Sequence, residues 1–252
     1  MAATAVRTRS VVIPAPRSPA DDARPAQPAP TCRAVAYQRV LHRLVRRELR
    51  LLAELAGWAA ADEAGRTGAL TRHADLIGRV LLHHHAVERD AVWPALVDAV
   101  PREKAAEVRA VVDDWTARCA RIDHMLRDVS TAARQWAVAS THPAREAFAA
   151  ACRALADAVA AQTAAEEATL LPLVDAHLTA GDWAAIARTA HCGLTAREQL
   201  LVLGLALEDS SADDRGRLLD GLSRSTRAAW RLHGERSYRA AVVRLRGEPP
   251  AL

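Results

Sequence analysis

Apolar residues recur every three or four positions in four long segments, which is the period of an amphipathic helix. These stripes cover residues 35–52, 70–92, 108–129 and 148–173. Short breaks separate them, at residues 64–68, at Pro101 and before Pro143. Four long amphipathic helices with short connections are typical of an antiparallel up-down four-helix bundle, so the pattern predicts an all-α fold.

The rest of the chain divides into two parts. Residues 1–30 hold six of the twelve prolines and no apolar period, which predicts a disordered leader rich in Pro, Ala and Arg. Residues 181–252 show shorter helical patterns, with start signals at residues 195–198 and 211–214. We therefore expect a bundle over residues 31–180 and additional C-terminal helices, residues 181–252, packed on that bundle.

Two segments 78 residues apart share a polar residue, a glutamate four positions later and a proline six positions after the glutamate. The matching residues are His84, Glu88 and Pro94 in the first segment and Gln162, Glu166 and Pro172 in the second. Because a proline inside a helical pattern costs about 3 kcal/mol, matched prolines argue for a repeated unit. The preceding helices match at a shift of 77, so the sequence predicts two copies of a helical hairpin.

The repeat places six polar side chains at one depth of the predicted bundle, because residues at one level are mirrored about the connecting turns. The six are His42, His84, Glu88, Cys119, Gln162 and Glu166. Polar groups inside a bundle must be hydrogen-bonded or bind a ligand. A His and a Glu four residues apart share one helix face, and imidazole with carboxylate suits iron, zinc or manganese.

These motifs resemble the hemerythrin-like, or HHE cation-binding, family in its bacterial form, over residues 33 to 180. The matching positions are His42, the pair His84 and Glu88 with Trp93 and Pro94, and Glu166 and Glu167 with Leu171 and Pro172. In that family His, then His-x-x-x-Glu, occurs twice and holds a non-haem di-iron centre in a four-helix bundle. The resemblance implies that His42, His84, Glu88 and Glu166 are metal ligands.

Two departures from the family pattern fall in the second half of the repeat. Cys119 and Gln162 stand where the family has histidines, and His124 lies about 140° away from the apolar stripe, facing solvent. A thiolate is a good ligand for zinc or iron, whereas an amide is a weak, neutral one. Taken singly, Cys119 is a small buried hydrophobe and Gln162 a hydrogen-bond partner. The alternatives are therefore an iron or zinc site, mononuclear or dinuclear, and a site without metal.

The remaining histidines have no counterpart in the repeat. His83 and His85 flank His84 on other helix faces, so we expect them at the surface or beside the ligands. The others are expected to be structural or solvated, namely His73, His142, His177, His191 and His233.

Composition narrows the classes of function. The formal charge is +4, and residues 221–246 carry seven arginines against one glutamate. This stretch favours a solvated helix face or a protein partner, and the chain has no clear signal for nucleic acid or membrane binding. Four scattered cysteines and no apolar run of 18 residues favour a reducing cytoplasm. Nucleotide-binding and hydrolase motifs are absent, no catalytic residue is assigned, and enzymatic activity stays open.

Two functions are consistent with these patterns. The first is a metal-binding protein that handles or senses iron, dioxygen, nitric oxide or peroxide, favoured by the interior polar layer. The second is a metal-free scaffold of the same fold that acts as a regulatory or protein-interaction module, favoured by Cys119, Gln162 and the arginine-rich C-terminal helix.

Overall fold

The computed structural model describes residues 32–190, 193–247 and 250, and these residues form helices and no strand. The predicted all-α class is confirmed. None of the described helices is both long enough and apolar enough to cross a membrane. The predicted leader, residues 1–30, and His191 lie outside the described residues.

Four long helices and two short ones occupy residues 33–177. The long helices are α1 (Arg33–Trp58), α2 (Ala64–Val87), α4 (Arg102–Ala139) and α5 (His142–Thr169), and the short ones are α3 (Trp93–Ala99) and α6 (Leu171–His177). Helix α1 packs against α2 and α5, and α4 packs against the same two helices. The predicted four-helix bundle is therefore confirmed, with α1, α2, α4 and α5 around one core.

The first inter-helix turn lies earlier than the apolar pattern predicted. Helix α1 ends at Trp58 and α2 begins at Ala64, so residues 64–68 are the first turn of α2 and not the break itself. A glycine inside a helix costs only about 1 kcal/mol. The burial of side chains along α2, from Thr67 and Leu70 onwards, contributes more free energy than the glycines cost.

Both repeated prolines stand where a long helix is interrupted. A π-helical turn, Glu88–Val92, joins α2 to α3, and Pro94 is the second residue of α3. Helix α5 ends at Thr169, and Pro172 is the second residue of α6. Proline has no N–H to donate, so it is tolerated in the first turn of a new helix. The first interruption begins at Glu88, and at the second α5 ends three residues after Glu166.

Shorter helices follow the bundle. They are α7 (Ala180–Thr189), α8 (Ala196–Glu208), α9 (Ala212–Gly221), α10 (Arg224–Ala229), a π-helical turn (Trp230–Gly234) and α11 (Glu235–Arg246). The predicted start signals are confirmed, because Thr195 and Glu198 form a capping box and Ser211 caps α9. Helices α7, α8 and α9 contact α1, while α11 contacts α2 and α8. The domain boundary at residue 180 stays a prediction.

Helices α8 and α11 approach each other closely at Gly204. A Cβ atom on Gly204 would lie 2.3 Å from Cγ of Tyr238, closer than any real contact. The absence of a side chain at this position therefore permits the packing of α11 against α8.

A fully buried carboxylate, Glu48 of α1, ties α11 to the bundle. Its Oε1 accepts hydrogen bonds from Arg47 Nε and Arg246 Nη2, both at 2.7 Å, and its Oε2 lies 2.8 Å from His73 Nε2. Burial opposes ionisation, but the hydrogen bond with His73 and the charges of His73, Arg47 and Arg246 lower the pKa of Glu48 to about 2. The sequence pattern does not reveal this network, in which His73 has a structural role.

We expect Glu48→Ala to lower the free energy of unfolding by about 3 kcal/mol at pH 7, because the buried His73 loses its carboxylate partner and Arg246 keeps only Glu208. The pKa of Glu48 falls on folding, so its contribution is full above the ordinary value of 4.5 and is lost as the pH drops towards 2. Urea denaturation measures both effects.

The matched control is Glu54→Ala, which removes an exposed carboxylate from the same helix and should change stability by less than about 0.5 kcal/mol. Equal losses in the two variants at pH 7 would contradict a stabilising role for Glu48.

Candidate metal centre

A polar layer divides the core of the bundle into two apolar clusters. The first cluster includes Leu44, Leu81, Leu126 and Leu155, and the second includes Trp93, Leu96, Trp115 and Leu171. Between them lie four side chains that are at most 5% exposed, His42, His84, Glu88 and Glu166. The apolar clusters on both sides keep water away from this layer, which strengthens electrostatic interactions inside it.

The four side chains converge on one point. One potential ligand atom from each lies within 4.8 Å of those from the other three. Nε2 of His42 is 3.2 Å from Oε2 of Glu166, and Nε2 of His84 is 3.3 Å from Oε1 of Glu88. The histidine rings are 5.4 Å apart, centroid to centroid. Two imidazoles and two carboxylates at this spacing are able to share a single cation.

Two neighbouring side chains orient the cluster. Glu167 Oε1 lies 3.1 Å from Nδ1 of His42 and accepts a 2.8 Å hydrogen bond from Arg46 Nη2. The hydrogen bond with His42 lowers the pKa of Glu167, and the charge of Arg46 lowers it further. An ionised Glu167 only accepts, so Nδ1 of His42 donates and Nε2 keeps its lone pair for the cluster. Gln38 Nε2 donates to Oε1 of Glu88 at 2.9 Å.

Gln38 and the role of Glu167 were not predicted from the sequence. Gln38 lies four residues before His42, hence on the same face of α1, and a polar residue there within the apolar stripe was an available signal. Glu167 was noted only as part of the family match. Its contact with His42 depends on how α1 and α5 pack, which the sequence pattern does not reveal.

Burial and crowding shift the ionisation of the cluster towards neutral forms. Burial, followed by the charges of His42, His85 and His83, lowers the pKa of His84 well below its ordinary value. Burial raises the pKa of Glu166 to about 7. Burial and then the charge of Glu166 raise the pKa of Glu88 well above its usual range. Two carboxyl groups are thus held close together beside a histidine, His84, whose charged form is disfavoured by burial.

With Glu88 and Glu166 both ionised, the cluster contains polar atoms that no other group satisfies. Among the residues that the structure describes, Nε2 of His42, Oε2 of Glu88 and Oε1 of Glu166 have no hydrogen-bond partner. A buried polar atom without a partner costs about 1–3 kcal/mol. All three belong to atom types that coordinate divalent metals, so the residues present fit a cation.

The other two positions of the predicted layer contact each other. Gln162 Nε2 donates to Sγ of Cys119 at 3.2 Å. Cys119 is buried, whereas Gln162 is half-buried and lies at the margin of the layer. Burial, followed by the charges of Glu88 and Glu166, raises the pKa of the Cys119 thiol. This side of the layer therefore carries a neutral pair that satisfies itself.

The remaining predicted histidines separate into two groups. His85 is buried, with Nδ1 2.7 Å from Oδ1 of Asp123, and His83 is half-buried beside the cluster. His124 is exposed on α4, as predicted, and so is His142 at the start of α5. None of these four belongs to the converging cluster among the described residues.

Comparison with known proteins agrees with this geometry. The family model of the hemerythrin HHE cation binding domain matches residues 33–174. The matched segment begins with the first residue of α1, ends within α6 and contains every member of the cluster. No curated protein and no solved structure matches the chain.

We expect Cys119 and Cys152 to resist a thiol reagent in the native protein at pH 8. Both are buried, and burial raises the pKa of the Cys119 thiol and raises that of Cys152 to about 12, so the reactive thiolate is scarce. The half-buried Cys32 should react faster. Timed labelling followed by peptide mass mapping measures the rates, with the unfolded chain as control. Equal rates at Cys119 and Cys32 would contradict the buried, neutral thiol.

Proposed function

Because the chain belongs to the hemerythrin HHE cation-binding domain family, we propose that it binds one iron ion and uses it to handle or sense dioxygen, nitric oxide or peroxide. The ligands in this proposal are His42, His84, Glu88 and Glu166. The observation that carries it is their convergence within 4.8 Å, buried and with unpaired atoms.

Charge balance supports a divalent cation at this point. Glu88 and Glu166 carry two negative charges when ionised, and His84 is neutral because burial lowers its pKa. Burying uncompensated charge costs several kcal/mol, whereas a divalent cation would neutralise both carboxylates. Binding of the cation therefore removes the repulsion between two carboxylates that lie side by side in an apolar core.

The asymmetry of the layer supports one ion in place of two. The hairpin α1–α2 supplies His42, His84 and Glu88, while the second hairpin supplies Glu166 alone. Cys119 and Gln162 are engaged with each other at 3.2 Å. A second ion would have to share the same four ligands, because the second half of the site offers no further imidazole.

Iron is the metal that we propose, and zinc is the alternative, since both accept imidazole with carboxylate. Bound iron supplies a Lewis acid that is able to take up small diatomic ligands or peroxide. The chain's own residues then have distinct roles. Glu167 holds His42 with Nε2 directed at the site, Gln38 holds Glu88, and the two apolar clusters exclude bulk water. The cysteine pattern supports a cytoplasmic location for this chemistry.

A second candidate function is a metal-free scaffold that acts through a protein partner. The observation in its favour is the bond between Gln162 and Cys119, which satisfies both groups without a metal. Six of the seven arginines in residues 221–246 would form the contact surface, since Arg246 is bonded to Glu48 and Glu208. The unpaired atoms of His42, Glu88 and Glu166 favour the metal-binding proposal over this one.

We expect the protein to bind one equivalent of iron after anaerobic loading with Fe²⁺ and dialysis, counted by plasma mass spectrometry. His84→Ala should lose that iron, because it removes a buried ligand. His124→Ala, an exposed histidine on α4, is the matched control and should bind as the parent does. Iron should also raise the melting temperature relative to chelator, since a ligand that binds only the folded state stabilises it.

Two outcomes would overturn the metal proposal. One is less than about a tenth of an equivalent bound, far below what a multi-ligand site retains. The other is iron retained equally by His84→Ala and His124→Ala. An identical melting temperature with iron, zinc and chelator would favour the metal-free scaffold.

We expect the double substitution Cys119→His and Gln162→His to add a second metal equivalent. The two imidazoles would stand at the positions that mirror His42 and His84 in the repeat, which restores the second half of the ligand set. Metal counting and visible absorption spectra, compared with the parent and with each single substitution, measure the gain. Unchanged stoichiometry in the double variant would contradict the equivalence of the two hairpins.

A further inference from the structure

A cavity of about 670 Å³ lies beside the polar layer, between the bundle and the C-terminal helices. It is lined by residues of α1, α2, α7, α8 and α9. Most of its wall is apolar, including Val40, Leu41, Val80, Trp183 and Leu218. Gln38 and His84 also line it, so the cavity extends to the edge of the candidate metal centre.

We propose that this cavity is a binding site for an amphipathic organic anion, a molecule with an apolar body and one acidic head group. The volume falls within the range of about 300–1,000 Å³ that is typical of small-molecule sites. An apolar cavity of this size inside the protein favours a ligand whose apolar body removes the wall from water.

The charges around the cavity indicate the sign of the charge that the ligand carries. Arg33, Arg188 and Arg217 line it, and in the described parts of the chain none of them pairs with a carboxylate. Asp214 is the acidic residue of the lining, and its Oδ2 is already held by Arg43 at 2.9 Å. The guanidinium group donates in a planar fork that fits an acidic head group. The three arginines are exposed, which places the head group towards solvent and the apolar body inside.

A buried polar group inside the lining also points to a ligand. Gln38 is 2% exposed, and its Oε1 has no hydrogen-bond partner among the described residues, although its Nε2 is bonded to Glu88. Without a ligand in the cavity, this buried acceptor makes no hydrogen bond, and an unpaired buried acceptor costs free energy of folding. Since His84 and Gln38 line the cavity, a bound molecule would lie against the residues that surround the metal centre.

The proposal does not depend on a bound metal, so the test is run on the full-length protein in chelator and again after iron loading. Decanoate is the probe, and decanol, which has the same chain without the charge, is its control. Isothermal titration should show one decanoate bound per chain, and decanol bound at least about tenfold more weakly, since it loses the charge-assisted hydrogen bonds. Added salt should weaken decanoate binding.

Two pairs of variants locate the site. Ala184→Trp places a large side chain in the lining, and Ala185→Trp makes the same change on the same helix outside the lining. The double variant Arg188→Gln and Arg217→Gln removes two of the charges, with the exposed Arg231→Gln as its control. We expect Ala184→Trp and the double arginine variant to weaken decanoate binding about tenfold or more, and both controls to bind as the parent does.

Four results would overturn the proposal. The first is no heat of binding with decanoate, and the second is equal affinity for decanoate and decanol. The third is equal affinity in the double arginine variant and in Arg231→Gln, which keeps the test decisive even where Ala184→Trp does not fold. The fourth is sedimentation of the protein with anionic phospholipid vesicles together with no binding of free decanoate, which would make this face a membrane contact.

Discussion

The constraint on which this structure depends is the cost of keeping polar groups dry. A four-helix bundle is stabilised by removing apolar surface from water, and one layer of this bundle replaces apolar side chains with two imidazoles and two carboxylates. The layer is flanked above and below by apolar clusters, so bulk water does not solvate its interior, although His84 and Gln38 border a cavity. Its groups must therefore be paired, neutralised or bound to a cation. The repeated hairpin supplies these groups, and the hydrogen bonds of Gln38 and Glu167 hold Glu88 and His42 in place.

The helices and the cluster were predictable because both follow from periodicity. The spacing of three and four residues predicted the helices, the matched glutamates and prolines predicted the repeat, and mirror symmetry about the turns predicted that His84, Glu88 and Glu166 lie at one level. What could not be predicted depends on how helices pack. Glu48 resembles any glutamate on a helix until His73 and Arg246 approach it from α2 and from α11, far away along the chain. The first turn was misplaced because glycines in the first turn of α2 resemble a loop in composition.

The layer is chemically unequal on its two sides, and this inequality shapes the proposed function. His42, Glu88 and Glu166 hold unpaired atoms, while Cys119 on α4 and Gln162 on α5 satisfy each other among the described residues. Burial and the nearby carboxylates raise the pKa of the Cys119 thiol in the protein without metal, its Sγ already accepts the hydrogen bond of Gln162, and an amide is a weak ligand. The strong donors are therefore concentrated around one point. That distribution suits a single ion more than a pair.

Helix α1 connects this layer to the rest of the protein, since its different faces serve different parts of the structure. Gln38 and His42 face the cluster, Glu48 binds Arg246 of α11, and Arg43 binds Asp214 of α9. The C-terminal helices thus rest on the helix that carries the first histidine, and the cavity lies between them. A molecule in the cavity would contact His84 and Gln38 directly, because both line it. The accessory helices consequently border the candidate metal centre as well as completing the fold, and a ligand held beneath them would alter the surroundings of that centre.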